Sequence, residues 1–481
     1  MKTLHDLAKT KAVWRFFELI CSTPHPSGHE ELLVQKLKAE AEKAGLQVQL
    51  DDFGNMRIDR KAAPGFERSP CIIFQAHLDM VPQKAPGSAF DFLKAPLPVQ
   101  ITGNRLHCGG ETTLGADDGT GVALAMELLT DQSLHCGALA AIFTREEEIG
   151  LNGARALPKE FLRGDYLLNL DSGCDDCFYA GCAGGVEDYG FFTPQYRPAP
   201  AGEGVKIEVL GLEGGHSGAD IHLNRGNAHK LLAKLLERLG SSIALSTLEG
   251  GSVVNAIARE SVAVGILTSS LEEAQKEAEL CAKELSATFN ASEGFGFKLC
   301  ACEAPAVVWN EKFQKDFLTM LDTLPDGVFE FSAELDSVET SCNVGVIART
   351  SDGKIKVGCH PRSFDDIKWQ KVSDSNGEHF KKFGGEFESQ GPYPGWKFKS
   401  GSKLLEAGQT AAEKIFGKRL PVCAIHAGLE PGIFTPAAPN LEMLSFAPAA
   451  PNCHTTEEYL DIDSMEKVSC WLRELVKGLQ E

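Results

Sequence analysis

Cys71-Ile72-Ile73-Phe74-Gln75-Ala76 is an apolar, β-rich run that opens directly into His77-Leu78-Asp79. The same design recurs twice. Leu139-Ala140-Ala141-Ile142-Phe143 opens into Thr144-Arg145-Glu146-Glu147-Glu148, and Tyr166-Leu167-Leu168-Asn169-Leu170 opens into Asp171-Ser172. Short continuous apolar runs alternating with helical patterns predict an α/β fold with a mostly parallel, mixed sheet. In such sheets ligands bind beyond the carboxyl ends of the strands, so titratable residues placed at three strand ends can converge.

Two further segments extend this reading. Thr112-Thr113-Leu114-Gly115-Ala116-Asp117-Asp118-Gly119-Thr120-Gly121 reads as a tight loop feeding an apolar helix from Val122 to Leu129, with Asp118 or Thr120 as N-cap. Near the other end, Leu441 to Phe446 reads as a strand whose following loop, Pro451-Asn452-Cys453, delivers His454. Between about residues 190 and 395 the texture changes to alternating half-exposed strands (Gly204–Leu210, Ser261–Leu267) and amphipathic helices (His229–Leu239, Leu271–Leu285). This predicts a discontinuous catalytic domain, residues 1–188 and 395–481, interrupted by an inserted α+β lid domain, residues 189–394. Gly251-Ser252-Val253-Val254-Asn255 resembles Thr340-Ser341-Cys342-Asn343, which points to two related halves in the insertion.

Composition removes several classes of function. With 47 Lys+Arg against 67 Asp+Glu the net charge is −20, a surface that repels polyanions, so no nucleic-acid partner is expected. No apolar run approaches the ~18 residues of a membrane span. The amino-terminal stretch, broken by Asp6, Lys9, Lys11, Arg15 and Glu18, reads as an amphipathic helix and not as a signal segment, which makes the expected location cytoplasmic. The 15 cysteines are read as reduced, mostly buried thiols. One cluster, Cys174, Cys177 and Cys182, contains a C-x-x-C capable of metal or redox chemistry but lacks a second such pair.

His77, Asp117, Glu148, Asp171 and His454 make a set of two imidazoles and three carboxylates. Nitrogen and oxygen donors of this kind suit Zn²⁺, with Mn²⁺ or Co²⁺ as substitutes. Five donors exceed what one zinc ion takes, whereas two ions sharing Asp117 would each receive one histidine, one private carboxylate and the shared one. Two Zn²⁺, three carboxylates and one hydroxide sum to zero charge. Glu147, not needed for coordination, is left to take a proton from water and hand it to a leaving amine. Asp79, two residues beyond His77, is placed to orient that imidazole.

These strings, together with Ser22-Thr23-Pro24-His25-Pro26-Ser27-Gly28-His29-Glu30-Glu31, Gly214-Gly215-His216-Ser217-Gly218 and Ile425-His426-Ala427-Gly428-Leu429-Glu430, resemble the M20 metallopeptidases and within them the aminoacyl-histidine dipeptidases. The resemblance runs over nearly the whole chain. It implies a dipeptidase with two Zn²⁺ per chain, His77, Asp117 and Asp171 holding one ion and Asp117, Glu148 and His454 the other. It also implies Glu147 as general base, Asp79 as its orienting partner, and His216, Asn255, Arg362 and Gly428 as substrate-binding residues, with His216 stabilising the oxyanion. Arg362 suits a free carboxylate on physical grounds as well, because a guanidinium offers a bidentate fork. The aromatic pair Tyr393 and Trp396 reads as hinge packing. The expected partner is a small peptide, and the expected assembly a homodimer.

Glu146, Asp118 and Pro431 stand where that family more often has Asp, Asn and Cys. None of them is a ligand, but they leave the side-chain preference open, from Xaa-His dipeptides such as β-alanyl-histidine to a broader range. Two alternatives share the same motifs: an amidohydrolase that deacylates N-acyl amino acids, and a non-catalytic metal-binding descendant.

Overall fold

The three apolar runs form the strands Ile72–His77, Leu139–Thr144 and Tyr166–Asn169; every residue of the first two is buried. Burial on both faces explains why these strands read as continuous hydrophobic segments and not as alternating ones. A computed structural model describes residues 3–291 and 294–480 of the chain. It divides into two compact units, one formed by Met1–Gly181, Phe398–Ala424 and Leu429–Glu481, the other by Cys182–Lys397 and Ile425–Gly428.

The first unit is built on an eight-stranded sheet in the order Gln47–Leu50, Met56–Arg60, Leu139–Thr144, Ile72–His77, Tyr166–Asn169, Glu442–Ser445, Phe178–Cys182, Val422–Ile425. Ile72–His77 runs parallel to both its neighbours, and Glu442–Ser445 runs parallel to Tyr166–Asn169. The hairpin Gln47–Leu50/Met56–Arg60 and the strand Phe178–Cys182 join antiparallel, so the sheet is mixed with a parallel centre. Its core gathers Trp14, Phe16 and Phe17 of helix Ala12–Cys21 with apolar side chains of helices Ala116–Thr130 and Ile462–Gly478. Gly119 lets the first two helices close up: a Cβ there would come within 3.2 Å of Ile20 Cγ2.

One local expectation is corrected. The amino-terminal stretch is not one helix but two, Leu4–Ala8 and Ala12–Cys21. Thr3 and Asp6 close a capping box on the first turn, and the Thr10 backbone N–H and hydroxyl both turn back onto the Leu7 carbonyl, which ends the helix before Lys11.

The second unit is an α+β layer on a largely antiparallel nine-stranded sheet. Its main path runs Gly296–Ala301, Glu203–Leu210, Ser261–Leu267, Ile243–Gly250, Ser337–Arg349, Ile355–Ser363, Gly184–Phe192, Glu386–Tyr393. Helices Ala228–Leu239, Leu271–Leu285 and Glu311–Thr323 contribute to its apolar core. Helix Leu271–Leu285 starts where the sequence says it should, at a Ser270/Glu273 capping box. Among the described residues no helix is long and apolar enough to cross a membrane.

Candidate active site

In the first unit, His77 ends one parallel strand, Glu147 and Glu148 follow the next, Asp171 lies just beyond a third, and His454 sits in the loop after Glu442–Ser445. Asp117 enters from the turn that opens helix Ala116–Thr130, where Asp118 Oδ1 accepts from the Gly121 N–H at 3.1 Å as a local cap. The carboxyl ends of the strands thus bring five distant segments to one place.

Asp117 lies at the centre. Its Oδ1 is 3.0 Å from His77 Nε2 and its Oδ2 is 3.4 Å from His454 Nε2. Asp171 Oδ1 stands 3.6 Å from His77 Nε2, and Glu148 Oε1 stands 2.8 Å from His454 Nε2. The donor atoms fall into two trios that share Asp117: His77, Asp117 and Asp171, and Asp117, Glu148 and His454. A third trio, His77, Glu147 and Glu148, brings Glu147 to the same place.

The donor chemistry fits divalent cations. His77 Nδ1 is 3.0 Å from the Asp79 carbonyl, which as a pure acceptor takes the ring N–H there and leaves the Nε2 lone pair facing two carboxylates. Lone pairs gathered this way need positive charge between them. Without a metal they take it from protons: hydrogen bonds to Asp117 and Glu148 lift His454 to about 10. Burial would lower His77, but the charge of Asp171 and the neighbouring carboxylates raise it well above its ordinary value. Burial and the adjacent Asp117 charge push Asp171 up to about 8, and burial raises Glu147.

Asp79 is the brace of this arrangement. Its Oδ1 accepts from the Glu147 N–H at 3.0 Å, and its Oδ2 accepts from the Glu148 N–H at 3.2 Å and from Ser27 Oγ at 2.8 Å. Burial opposes its charge, yet His77 and these donors outweigh it and hold the carboxyl at about 2.

Other contacts of the bracing are not given by the motifs, although Glu30 and Glu430 stand within them. Fully buried Glu30 pairs with Arg145 at 2.6 Å and accepts from the Glu146 N–H at 3.3 Å, fixing the turn in which Glu146 takes a φ of 54°. Buried Glu430 accepts from Thr144 Oγ at 2.9 Å and from Gln75, and burial lifts it to about 7. Glu458 is the most connected. Its carboxylate accepts from the backbone N–H groups of Leu114 at 2.7 Å, Gly115 at 3.1 Å, Ala116 at 2.8 Å and Asp117 at 3.4 Å. It ties the His454 loop to the Asp117 turn, at a site only 1% exposed. Glu458→Gln puts an amide N–H₂ against backbone donors, which predicts a loss of about 2–4 kcal/mol, measured as a lower denaturation midpoint of the metal-free protein.

The remaining candidates lie in the second unit. His216 Nδ1 accepts from the N–H groups of Gly218 at 3.2 Å and Ala219 at 3.0 Å, which leaves the ring hydrogen on Nε2. Burial, reinforced by the Arg362 charge, holds His216 down at about 4, so it is neutral near pH 7. Arg362 is 3% exposed, donates to Tyr393 Oη at 2.8 Å, and has no carboxylate paired with it among the described residues; its Nε is without a partner. Tyr393 is therefore more than hinge packing, since its hydroxyl also meets His360 Nε2 at 3.2 Å. His360 and His426, buried in the same unit, were not singled out from sequence; burial and Arg362 hold both below the ordinary histidine value, His426 at about 3. Asn255 is exposed and its carbonyl accepts from the Ser217 N–H at 2.8 Å, while Gly428 lies in the segment Ile425–Gly428.

Residues 73–478 match the model of peptidase family M20/M25/M40. The chain belongs to the M20 peptidase family. It is thus a metal-dependent peptidase, and the paired trios are its candidate metal site. The cytosol non-specific dipeptidase of Escherichia coli is 35% identical to it over 97% of each chain. The crystal structure of an aminoacylhistidine dipeptidase from Vibrio alginolyticus superposes with a TM-score of 0.86 at 35% identity, covering 97% of this chain and 96% of that one. Aminopeptidase PepT from Bacillus cereus shares the fold, with a TM-score of 0.57 at 17% identity over 98% of each chain.

Proposed function

We propose that this M20 peptidase hydrolyses unblocked dipeptides, Xaa-His among a broader set, with two divalent ions, Zn²⁺ in the first place, held by His77, Asp117 and Asp171 and by Asp117, Glu148 and His454. The observation that carries the reading is that the two oxygens of Asp117 face two different imidazoles. The names of the two relatives that match at 35% identity support the substrate class.

The residues of the two trios would hold the ions, and bound there the ions would supply Lewis acidity toward water and a peptide carbonyl. Glu147 takes the proton of the attacking water and returns it to the departing amine. Asp79 keeps Glu147 in place through its N–H and keeps His77 in the tautomer that presents Nε2. His216, neutral and carrying its hydrogen on Nε2, is suited to donate to the developing oxyanion. Arg362, a buried cation without an acidic partner, is suited to the free carboxylate of a short peptide, and Asn255 and Gly428 to its backbone.

The deciding assay compares Ala-His, Ala-His amide and acetyl-His on metal-defined protein. Ala-His should be cleaved best. Cleavage of acetyl-His alone would assign the chain to deacylation, and turnover of none to a non-catalytic role. Arg362→Met should lower kcat/KM for Ala-His by about 10–100-fold, the worth of a charge-assisted hydrogen bond, and leave the amide unaffected. An equal loss on both substrates would remove Arg362 from carboxylate recognition.

A further inference from the structure

The loop that follows Asp171 carries a second group of metal-capable side chains, made of different atoms from the site above. Cys174, Asp176 and Cys177 each present a ligand atom within 4.8 Å of the others. The Cys174 and Cys177 sulfurs are 3.8 Å apart. That is far beyond the ~2.05 Å of a disulfide. It equals the edge of a tetrahedron with metal–sulfur bonds of about 2.3 Å, for which the sulfur–sulfur separation is about 3.8 Å.

A third sulfur comes from a remote segment. Phe178 donates its N–H to the Pro421 carbonyl at 2.9 Å, and the strands Phe178–Cys182 and Val422–Ile425 lie side by side in the sheet. This pairing delivers Cys423 to Cys177, whose thiol it meets. Gly173, with a φ of 63°, makes the turn before Cys174, and its carbonyl is tied down by the Ala450 N–H at 3.0 Å. Cys174 and Cys423 are partly exposed, so the group has access to solvent, while Cys177 is buried.

We propose that Cys174, Cys177 and Cys423, with Asp176 as the oxygen donor, form a thiolate site for one soft divalent cation of the zinc class, additional to the active-site metals. Cys174, Asp176 and Cys177 already stand within 4.8 Å of one another, and Cys423, which meets Cys177 but lies outside that trio, would turn in to complete a closed tetrahedral set of three sulfurs and one oxygen. On binding, each thiol releases its proton to solvent and the metal–sulfur bond takes its place. The ion would cross-link the loop leading from Asp171 to the strand Val422–Ile425.

The test uses the full chain, stripped of metal under reducing conditions and reloaded with Co²⁺ alone. A near-ultraviolet thiolate-to-cobalt charge-transfer band is expected. It should vanish in Cys174→Ser/Cys177→Ser, fall by about one third in Cys423→Ser as three sulfur donors become two, and persist in Asp117→Asn. Zinc content should drop by one ion per chain in the double variant. A measurement without variants gives the same answer: Zn²⁺ should protect Cys174 and Cys177 of the unaltered protein from alkylation at least tenfold, read by peptide mass spectrometry. Absence of the band, its survival in the double variant, labelling that ignores Zn²⁺, or a Cys174–Cys177 disulfide in the reduced, metal-loaded protein would each overturn the site. None of these results touches the dipeptidase reading, which rests on nitrogen and oxygen donors.

Discussion

Glu147→Gln should lose about 10²- to 10⁴-fold in kcat while keeping its fold and its complement of metal, because a general base is worth that much and glutamine cannot accept the proton. The structure makes this substitution unusually clean. What Glu147 gives to the local architecture is its backbone N–H, bonded at 3.0 Å to Asp79 Oδ1, and the exchange leaves that bond in place. The two trios that share Asp117 do not include it. Yet Glu147 also falls in a trio with His77 and Glu148, so geometry alone permits it to be a ligand. Metal content separates the two roles. A variant that is slow with its metal intact has lost a base, one that is slow after losing an ion has lost a ligand, and one with unchanged turnover has lost neither.

The parts of this centre that were legible in the sequence are those whose position follows from local rules. His77 and Asp171 end apolar runs, and the run that becomes Ile72–His77 had to be a buried strand because nothing in it faces water. Leu441 to Phe446 was readable from its apolar majority and forms Glu442–Ser445, in which every residue but Glu442 is buried. The half-exposed strands of the second unit showed in their alternation, as in Glu203–Leu210. What could not be read are contacts between segments that share no periodicity. Glu458 stands beside Glu457 in a polar loop, and nothing local distinguishes the residue that receives four backbone donors from its exposed neighbour. The same holds for Glu30 with Arg145, and for Tyr393, whose hydroxyl role depends on where strand pairing puts Arg362. The break at Lys9–Lys11 was missed because apolar spacing continues across it while the Thr10 hydroxyl competes for the helix carbonyl.

Asp117 is where the two-ion arrangement is most exposed to experiment. Asp117→Asn preserves volume but removes one of the two oxygens that face His77 and His454, and sets an amide N–H₂ in its place. If the carboxylate is shared, this one change should cost two zinc ions relative to the unaltered chain, and kcat should fall by at least about 10³-fold, as expected when the ions that supply the nucleophile are lost. Asp171→Asn, by contrast, touches only the His77 trio and should cost one ion. Stability gives an independent reading. Without metal, Asp117 lies between two imidazoles that it helps to keep protonated, and they hold its carboxyl well below the usual carboxylate range, so neutralising it should lower the denaturation midpoint of the metal-free protein at neutral pH. With metal, each ion held at a thousandfold excess over its dissociation constant stabilises the native chain by about 4 kcal/mol, and the variant should forfeit that gain for both. Loss of a single ion in Asp117→Asn, with the same loss in Asp171→Asn, would show that no carboxylate is shared and that the centre works with its cations held independently.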